Sequence, residues 1–382
     1  MALKVARRGS VAPFIAMEVL RAANERAAAG EDVLHLEVGQ PATGAPRPVI
    51  EAAKRALETQ QLGYTEALGV MPLRLRIARH YGEFYGVTVD PARIVVTTGS
   101  SGAFLLSFLA AFDPADRVAL AAPGYPAYRN ILSALGIVPV SIATDMVTRF
   151  QPTADLLAAI ERPIDGLIVA SPSNPAGTML SRVELKQLWQ YCRANGIRMI
   201  SDEIYHGITY GEAPSTALSF GDDVIVINSF SKYYSMTGWR LGWMIVPNDL
   251  MRPIERLAQN LFISPPTLPQ FAAQAAFDCG AELDANVRRY GDNRALLLDR
   301  LPKAGFDRLA PADGAFYIYA DVSRLTNDSE AFCQRMLAET GVAATPGVDF
   351  DAERGHRFVR FSFAGSAANI SAAADRLVSW RR

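Results

Sequence analysis

The sequence predicts an α/β protein in which a mostly parallel central sheet carries helices on both faces and is followed by a smaller α+β domain. Three observations support this class. The chain has 382 residues, and a single hydrophobic core rarely grows beyond about 250–300 residues, so we expect two domains. Short apolar segments alternate with helical stretches over most of the chain, as they do in parallel sheets. This alternation ends after Pro265 and Pro266.

The chain begins with helices and one short strand. Apolar residues recur at helical spacing over residues 13–29, which predicts the first helix. Residues 33–38 predict a strand that ends before Gly39. Two further helices are expected at residues 46–61 and 72–85.

Six apolar strands follow, separated by helical stretches. The strands are expected at residues 94–98, 117–121, 166–170, 198–201, 224–228 and 241–246, with intervening helices that include residues 100–112 and 182–195. Beyond Pro266 the pattern changes to two long helices, at residues 269–279 and 281–301, and a meander with strands at residues 315–320 and 358–363. This second part predicts the smaller domain.

The composition favours small-molecule chemistry. Charged residues make up 20% and the net charge is -1, which gives no electrostatic footprint for nucleic acid or an anionic membrane. The longest apolar run, residues 103–112, is too short to cross a bilayer, and the N-terminus lacks the features of a signal peptide. Three widely spaced cysteines predict free thiols in a reducing cytoplasm. We therefore expect a cytoplasmic protein, and we assign no metal ligands.

The motifs that carry chemistry follow strands, at the edge of an open α/β sheet where ligands bind. Residues 98–102, Thr-Gly-Ser-Ser-Gly, open a helix, so free backbone N–H groups and the positive end of the helix dipole converge there. The glycines allow close approach of the backbone, and Ser100 and Ser101 add hydroxyl donors. The segment fits a phosphate, although an ordinary serine-capped helix start has the same pattern.

A lysine and an arginine follow the strand at residues 224–228. Lys232 ends the motif Ser-Phe-Ser-Lys that begins at Ser229, and Arg240 lies eight positions after it. A lysine forms a Schiff base with a carbonyl compound when its amine is desolvated or lies near other cations. An arginine can neutralise a phosphate with paired donors. A lone lysine would be a solvated surface residue, but this one stands beside other candidate ligand-binding motifs.

Asp202 and Asn174 also follow strands. A carboxylate at the end of strand 198–201 is costly to bury without a cationic partner, and the protonated ring nitrogen of pyridoxal phosphate would be such a partner. Asn174 lies in the turn Ser-Pro-Ser-Asn-Pro-Ala-Gly, residues 171–177, where its amide could donate to a ligand oxygen. The alternatives are that Asp202 caps the next segment and that Asn174 serves only the turn.

Together these motifs make the chain resemble the class I/II aminotransferases, which are pyridoxal-phosphate-dependent transferases of fold type I. The resemblance extends from Gly39 to Arg360, and residues 229–242 are its most specific block. It implies that Lys232 binds pyridoxal 5'-phosphate as a Schiff base and moves the substrate α-proton. It also implies that Asp202 pairs with the pyridine nitrogen.

The resemblance implies the other cofactor contacts as well. Tyr205 and Asn174 would hydrogen-bond the ring oxygen, and Tyr125 would stack on the pyridine ring. The phosphate cradle would consist of Ser100, Ser101, Ser229 and Arg240. Relatives often carry a different aromatic residue at the position of Tyr125 and more glycine in the phosphate loop, but neither departure affects the cofactor assignment.

Substrate contacts and assembly follow from the same resemblance. Arg360 would clamp the substrate α-carboxylate, with Asn174 and the backbone of Gly39 beside it. Tyr64 would reach the phosphate of the neighbouring subunit, which implies a homodimer with shared active sites. No side chain stands out as a binder of a distal carboxylate. The implied domains are an N-terminal arm (1–38) packing with the small domain, a large cofactor-binding domain (39–280) and a small C-terminal domain (281–382).

The expected function is the transfer of an amino group from an amino acid to a 2-oxo acid. A C–S β-lyase, a decarboxylase or a synthase of the same fold would use the same Lys232 and Asp202, so these enzymes are the alternative. A cofactor-dependent transcription regulator would add an N-terminal DNA-binding domain, and only 38 residues precede Gly39.

Overall fold

The computed structural model describes residues 3–380, and its centre is a seven-stranded sheet. The strand order is β2-β8-β7-β6-β5-β3-β4. The strands of this sheet are β2 (Ile94–Thr97), β3 (Arg117–Ala122), β4 (Val138–Ala143), β5 (Gly166–Ala170), β6 (Arg198–Asp202), β7 (Ile225–Ser229) and β8 (Gly242–Ile245). Strand β8 runs antiparallel to both of its neighbours, whereas the other pairings are parallel. The sheet is therefore mostly parallel, as the sequence predicts.

Helices cover both faces of this sheet because its strands are apolar on both sides. Leu167 and Val226 belong to one core, whereas the next residues, Ile168 and Ile227, belong to the core on the opposite face. Helices α2 (Arg47–Thr59), α3 (Met71–Tyr85) and α7 (Arg182–Ala194) contribute to the first core, and α4 (Gly99–Ala111), α5 (Pro126–Leu135) and α8 (Asn248–Leu261) contribute to the second. Two short helices, α6 (Ala154–Ala158) and α9 (Thr267–Ala273), complete this part of the chain.

A second, smaller sheet organises the C-terminal part. Strands β9 (Arg308–Leu309), β10 (Tyr317–Asp321), β12 (Thr345–Pro346) and β13 (Phe358–Ser362) form an antiparallel sheet in the order β12-β13-β10-β9. Helices α10 (Gly280–Lys303), α11 (Ser329–Thr340) and α12 (Ala367–Ser379) pack around the same core. This arrangement is the smaller α+β unit that the sequence predicts.

The N-terminal segment joins this C-terminal part. After helix α1 (Ile15–Ala28), strand β1 (Leu34–His35) pairs in parallel with β11 (Val342–Ala343). Leu34 and Leu36 lie in the core of the smaller unit. The carboxylate of Asp349 accepts hydrogen bonds from the first backbone N–H groups of α1, at Ile15 (3.0 Å) and Ala16 (3.2 Å). A negative charge at this position stabilises the start of a helix.

Several boundaries differ from the sequence prediction for physical reasons. The strand expected at residues 33–38 is only two residues long, because its pairing partner β11 is equally short. The helix expected at residues 269–279 ends at Ala273 and continues as a 3₁₀ turn, Gln274–Asp278. Strand β4 was not predicted. It is an edge strand that contains Pro139, and such strands lack a clear apolar signal. Within residues 3–380, no helix is both long and apolar enough to span a bilayer.

Candidate active site

Most of the residues singled out in the sequence meet in one cavity of about 450 Å³. It lies where the parallel strands end, since Asp202 is the last residue of β6 and Lys232 follows β7 by three positions. The C-terminal part closes it through Tyr317 and Arg360, and helix α1 adds an apolar wall. The predicted site residues that line the cavity are Gly39, Ser100, Ser101, Tyr125, Asn174, Asp202, Tyr205, Lys232, Arg240 and Arg360.

Lys232 has the environment of a reactive amine. Its Nζ donates a hydrogen bond to the carbonyl oxygen of Gly39 (2.6 Å). Burial, with smaller contributions from the charges of Arg360 and Arg240, lowers the pKa of Lys232 to about 8, although the charge of Asp202 opposes this shift. No carboxylate lies within ion-pair distance of this amine in the part of the chain that the structure describes. A larger fraction of the amine is therefore neutral and nucleophilic near pH 7 than in an exposed lysine.

Asp202 is a buried carboxylate that forms no direct ion pair among residues 3–380. Its side chain is 4% exposed. Tyr128 donates a hydrogen bond to one carboxylate oxygen, and the backbone N–H of Ile204 donates to the other (3.1 Å). Burial raises the pKa of Asp202 to about 6, although both hydrogen bonds and the charge of Lys232 oppose this rise. The bond from Ile204 means that Asp202 does cap the following turn, but the cap leaves its charge uncompensated.

Arg360 is a buried guanidinium that also lacks an ion pair within the described residues. It is 2% exposed. Nη1 donates to Oδ1 of Asn174 (2.9 Å), and Nη2 donates to the carbonyl oxygen of Glu37 and to Oγ1 of Thr345 (3.1 Å), whereas Nε has no partner. The guanidinium lies 4.4 Å from the ring centre of Tyr317. Its hydrogen-bond partners are all neutral groups, so a carboxylate that enters the cavity would be its first ion-pair partner within the described residues.

An anion-binding loop lies at the start of helix α4. Gly99 has a φ of +74°, and a Cβ atom there would come within 2.6 Å of Nη2 of Arg240. A Cβ atom on Gly242 would likewise lie 3.0 Å from the backbone nitrogen of Ser100. The two glycines therefore let the Arg240 guanidinium and β8 approach the free N–H groups of the helix. Ser100 and Ser101 line the cavity beside them. The backbone N–H groups of the loop, the serine hydroxyl groups and the Arg240 guanidinium together provide the hydrogen-bond donors that a phosphate needs.

Two tyrosines extend the polar wall between Lys232 and Arg360. The hydroxyl groups of Tyr205 and Tyr317 are 2.7 Å apart. Burial raises the pKa of both phenols, so both are neutral at pH 7 and can donate hydrogen bonds. Oδ1 of Asn174 accepts from Arg360, so the amide N–H₂ remains for a ligand oxygen.

Tyr125, at the start of α5, forms the wall of the cavity near Asp202. Its ring meets the edges of Phe14 and Tyr128, at centroid distances of 5.7 and 5.2 Å. Burial raises its pKa to about 12, so the phenol stays neutral. An aromatic ring in this position can pack against a planar ligand.

Two predicted site residues lie outside the cavity. Ser229 is 1% exposed, and its Oγ interacts with Oγ of Ser231 (2.9 Å) and with the carbonyl oxygen of Leu241 (3.1 Å). Ser231 itself lines the cavity, so Ser229 lies behind it. Tyr64 is 82% exposed and does not reach the cavity of its own chain.

Four contributors were not predicted from the sequence. Tyr128 lies three positions after the predicted Tyr125, and Ser231 immediately precedes the predicted Lys232. Their closeness in sequence to predicted site residues could have identified both. Tyr317 comes from the smaller unit and reaches the cavity only through tertiary packing. A Cβ atom on Gly39 would overlap its hydroxyl group at 1.7 Å, so a glycine is required there. The fourth is the apolar face of α1, with Phe14, Met17 and Leu20.

The chain belongs to the class I and II aminotransferase family, whose sequence profile matches residues 31–377. It is 53% identical, over 99% of its own length and 98% of the other protein, to the valine–pyruvate aminotransferase of Mycobacterium tuberculosis. The crystal structure of an aminotransferase from the same organism has a TM-score of 0.97 at 53% identity and covers 99% of both chains. Aspartate aminotransferase from Thermus thermophilus, solved with maleate, has a TM-score of 0.93 at 29% identity and covers 99% of this chain and 100% of that chain.

These relatives confirm the fold class and the enzyme class that the sequence predicts. The protein is an aminotransferase, an enzyme that transfers an amino group from an amino acid to an oxo acid. The β-lyase, decarboxylase and synthase alternatives receive no support from these relatives.

Proposed function

We propose that the aminotransferase uses pyridoxal 5'-phosphate, bound covalently to Lys232. The observation that carries this proposal is the set of uncompensated charges in one cavity. Within the described residues, Asp202 is a buried carboxylate and Arg360 a buried guanidinium, and neither forms an ion pair, while the donors of the loop at Ser100 lie beside Arg240. Burying charges in this way is costly unless a ligand supplies their partners.

The cofactor fits these residues group by group. Its protonated ring nitrogen would pair with Asp202, and its phosphate would bind at Ser100, Ser101 and Arg240. Tyr205 and the amide of Asn174 would donate to the ring oxygen. Ser229 lies behind Ser231, which supports a role for Ser229 in holding the segment that contains Ser231. Ser231 would then donate a further hydrogen bond to the phosphate.

Asp202, Lys232 and Arg360 then have separate roles in amino transfer. When bound, the cofactor supplies an aldehyde carbon for the substrate amine and a cationic ring that takes up the electrons left at Cα. Asp202 holds the ring nitrogen in its protonated form, which stabilises charge where it develops. Lys232, with its lowered pKa, accepts the proton from Cα and returns it as a general acid. Arg360 binds the α-carboxylate through two parallel hydrogen bonds and so orients the Cα–H bond toward Lys232.

We propose valine as the amino donor and pyruvate as the acceptor. The relative that is 53% identical over nearly the full chain bears the name valine–pyruvate aminotransferase. The apolar wall from α1 supports this donor, because an isopropyl side chain loses contact with water against Phe14, Met17 and Leu20.

A donor and acceptor screen tests the function directly. The purified protein, loaded with pyridoxal phosphate, is incubated with valine and pyruvate, and alanine and 3-methyl-2-oxobutanoate are quantified by mass spectrometry. We expect the two products in equal amounts. Release of more than one equivalent of oxo acid per active site together with ammonia, without any acceptor, would indicate a lyase, and the absence of amino transfer with every donor and acceptor pair would contradict the proposal.

We further propose that the enzyme is a homodimer with shared active sites in the cytoplasm. The exposure of Tyr64 supports a role at the partner's cofactor, since the residue lies far out of its own cavity. Three buried free thiols, at Cys192, Cys279 and Cys333, fit a reducing compartment. The pairing of β1 with β11 supports the proposed division into an arm (1–38), a large domain (39–280) and a small domain (281–382).

A further inference from the structure

The wall of the active-site cavity beside Arg360 contains one acidic residue, Glu37. Its side chain is fully buried, and the residue lines the cavity together with Phe14, which precedes helix α1, and with Met17 and Leu20 of that helix. A buried acid is unusual in such an apolar wall, because a carboxylate loses its hydration there. Neither the proposed cofactor contacts nor the proposed carboxylate clamp uses the Glu37 side chain.

The Glu37 carboxylate is only partly compensated. Oε1 lies 2.7 Å from Nδ1 of His35, whereas Oε2 is buried and has no hydrogen-bond partner. Within residues 3–380, the only ion pair of Glu37 is the one with His35. The His35 side chain is 38% exposed to solvent. The carboxylate raises the pKa of His35, but His35 is on the solvent side and leaves Oε2 uncompensated.

The position of Glu37 relative to the clamp is fixed by the backbone. Its carbonyl oxygen accepts hydrogen bonds from Nη2 of Arg360 and from Oγ1 of Thr345 (2.9 Å). The residue that anchors the guanidinium therefore also carries the buried negative charge. A substrate whose α-carboxylate is bound by Arg360 would occupy the cavity that Glu37 also lines.

Among the described residues of this chain, no further cation lines the cavity to receive a second carboxylate. The lysine and arginine side chains that line the cavity, counted over the described residues, are Lys232, Arg240 and Arg360. The first two have proposed roles toward the cofactor, and the third has one toward the α-carboxylate. An acidic substrate side chain would meet an apolar wall and a buried carboxylate.

We propose that Glu37 is a specificity-determining residue that excludes amino donors with a distal carboxylate and leaves the site to uncharged aliphatic donors. The inference rests on the proposed function and deepens it by naming the substrate class. Two like charges in a water-poor cavity repel strongly because little solvent screens them. Specificity of this kind arises from a repulsive element as well as from the attractive apolar wall.

The test compares donors within each variant of the enzyme loaded with pyridoxal phosphate. The readout is the ratio of kcat/KM for glutamate to kcat/KM for valine, because a general loss of activity cancels in this ratio. Glu37→Gln keeps the size of the side chain and a hydrogen bond to His35 but removes the charge. We expect the ratio to rise by roughly tenfold or more. Glu18→Gln, on the exposed face of α1, is the matched control and should leave the ratio unchanged.

Two further measurements make the test independent of turnover and of a single variant. Glutarate and 3-methylbutanoate are unreactive acids, and calorimetry gives their dissociation constants. Glu37→Gln should tighten the binding of glutarate and have a much smaller effect on 3-methylbutanoate. His35→Gln removes the partial compensation of Glu37 and should lower the glutamate-to-valine ratio.

The possible outcomes separate this inference from the proposed function. If the wild-type enzyme converts valine but converts glutamate equally well, or if Glu37→Gln leaves both the ratio and the affinity for glutarate unchanged, the role of Glu37 is wrong while the amino-transfer function stands. If the wild-type enzyme converts no amino donor at all, the proposed function itself fails.

Discussion

Replacing Asp202 with asparagine should stabilise the cofactor-free protein while abolishing most of its turnover. Asp202 is 4% exposed, and its carboxylate forms no direct ion pair in the part of the chain that the structure describes. An asparagine side chain can accept the hydrogen bond from the N–H of Ile204 and donate one to the oxygen of Tyr128. The substitution therefore removes a buried charge and retains the local hydrogen bonds.

The magnitude follows from the pKa of Asp202, which burial raises from 3.8 to about 6. Between these pH values the folded state binds the proton more tightly than the unfolded state, so the stability of the cofactor-free protein falls as the pH rises through this window. At roughly 1.4 kcal/mol per pH unit, the full penalty above pH 6 is about 3 kcal/mol. Asp202→Asn should recover up to this amount at pH 7.5 and about half of it at pH 5.

The assay is the thermal midpoint of the cofactor-free protein, measured for wild type and variant at pH 7.5 and pH 5. We expect a higher midpoint for Asp202→Asn and a larger difference at pH 7.5. The turnover of the cofactor-loaded variant should fall by roughly 10²-fold or more, because the ring nitrogen loses its ionic partner. A variant that is less stable than wild type at pH 7.5 and keeps near-wild-type turnover would show that Asp202 is only a structural cap.

Two further substitutions test the clamp and the assembly. Arg360→Ala should lower kcat/KM for valine and for alanine alike, by roughly 30-fold or more, because both donors lose the partner of the α-carboxylate. Arg360→Lys should not restore activity, since an ammonium lacks the two parallel donors; a loss confined to one donor would make Arg360 a side-chain reader instead. Light scattering should show a dimer at assay concentration, and Tyr64→Phe should weaken cofactor retention by roughly tenfold through one lost hydrogen bond to a charged group. A fully active monomer would refute shared active sites.

The polar residues of the large sheet could be predicted from the sequence because sheet geometry brings them together. Asn174, Asp202 and Lys232 each follow a short apolar strand, and parallel strands end at the same edge of the sheet. The glycines around Ser100 carried a signal as well, since a strand followed by a glycine-rich helix start is a common anion site. Local sequence pattern is sufficient for such residues.

The rest of the site depends on tertiary packing that a local pattern does not contain. Tyr317 reaches the cavity because β10 pairs with β13 and places its ring beneath Arg360. Glu37 belongs to the segment predicted only as a short strand, and the structure buries its side chain completely. The helical spacing of the apolar residues in α1 predicted only a helix with one face packed against a core. Its contact with the cavity follows from tertiary packing, because α1 contacts β11 and β12, and β12 pairs with the strand that contains Arg360.

The attachment site of the cofactor tests the account most directly. The purified enzyme is loaded with pyridoxal phosphate and reduced with borohydride, and the labelled peptide is identified by mass spectrometry. We expect a single label on Lys232, in the peptide that contains residues 229–232, and we expect Lys232→Ala to abolish the label while still binding phosphate-containing cofactor at the loop of Ser100 and Arg240. A label on a different lysine, or an unlabelled Lys232 in an active enzyme, would contradict the account.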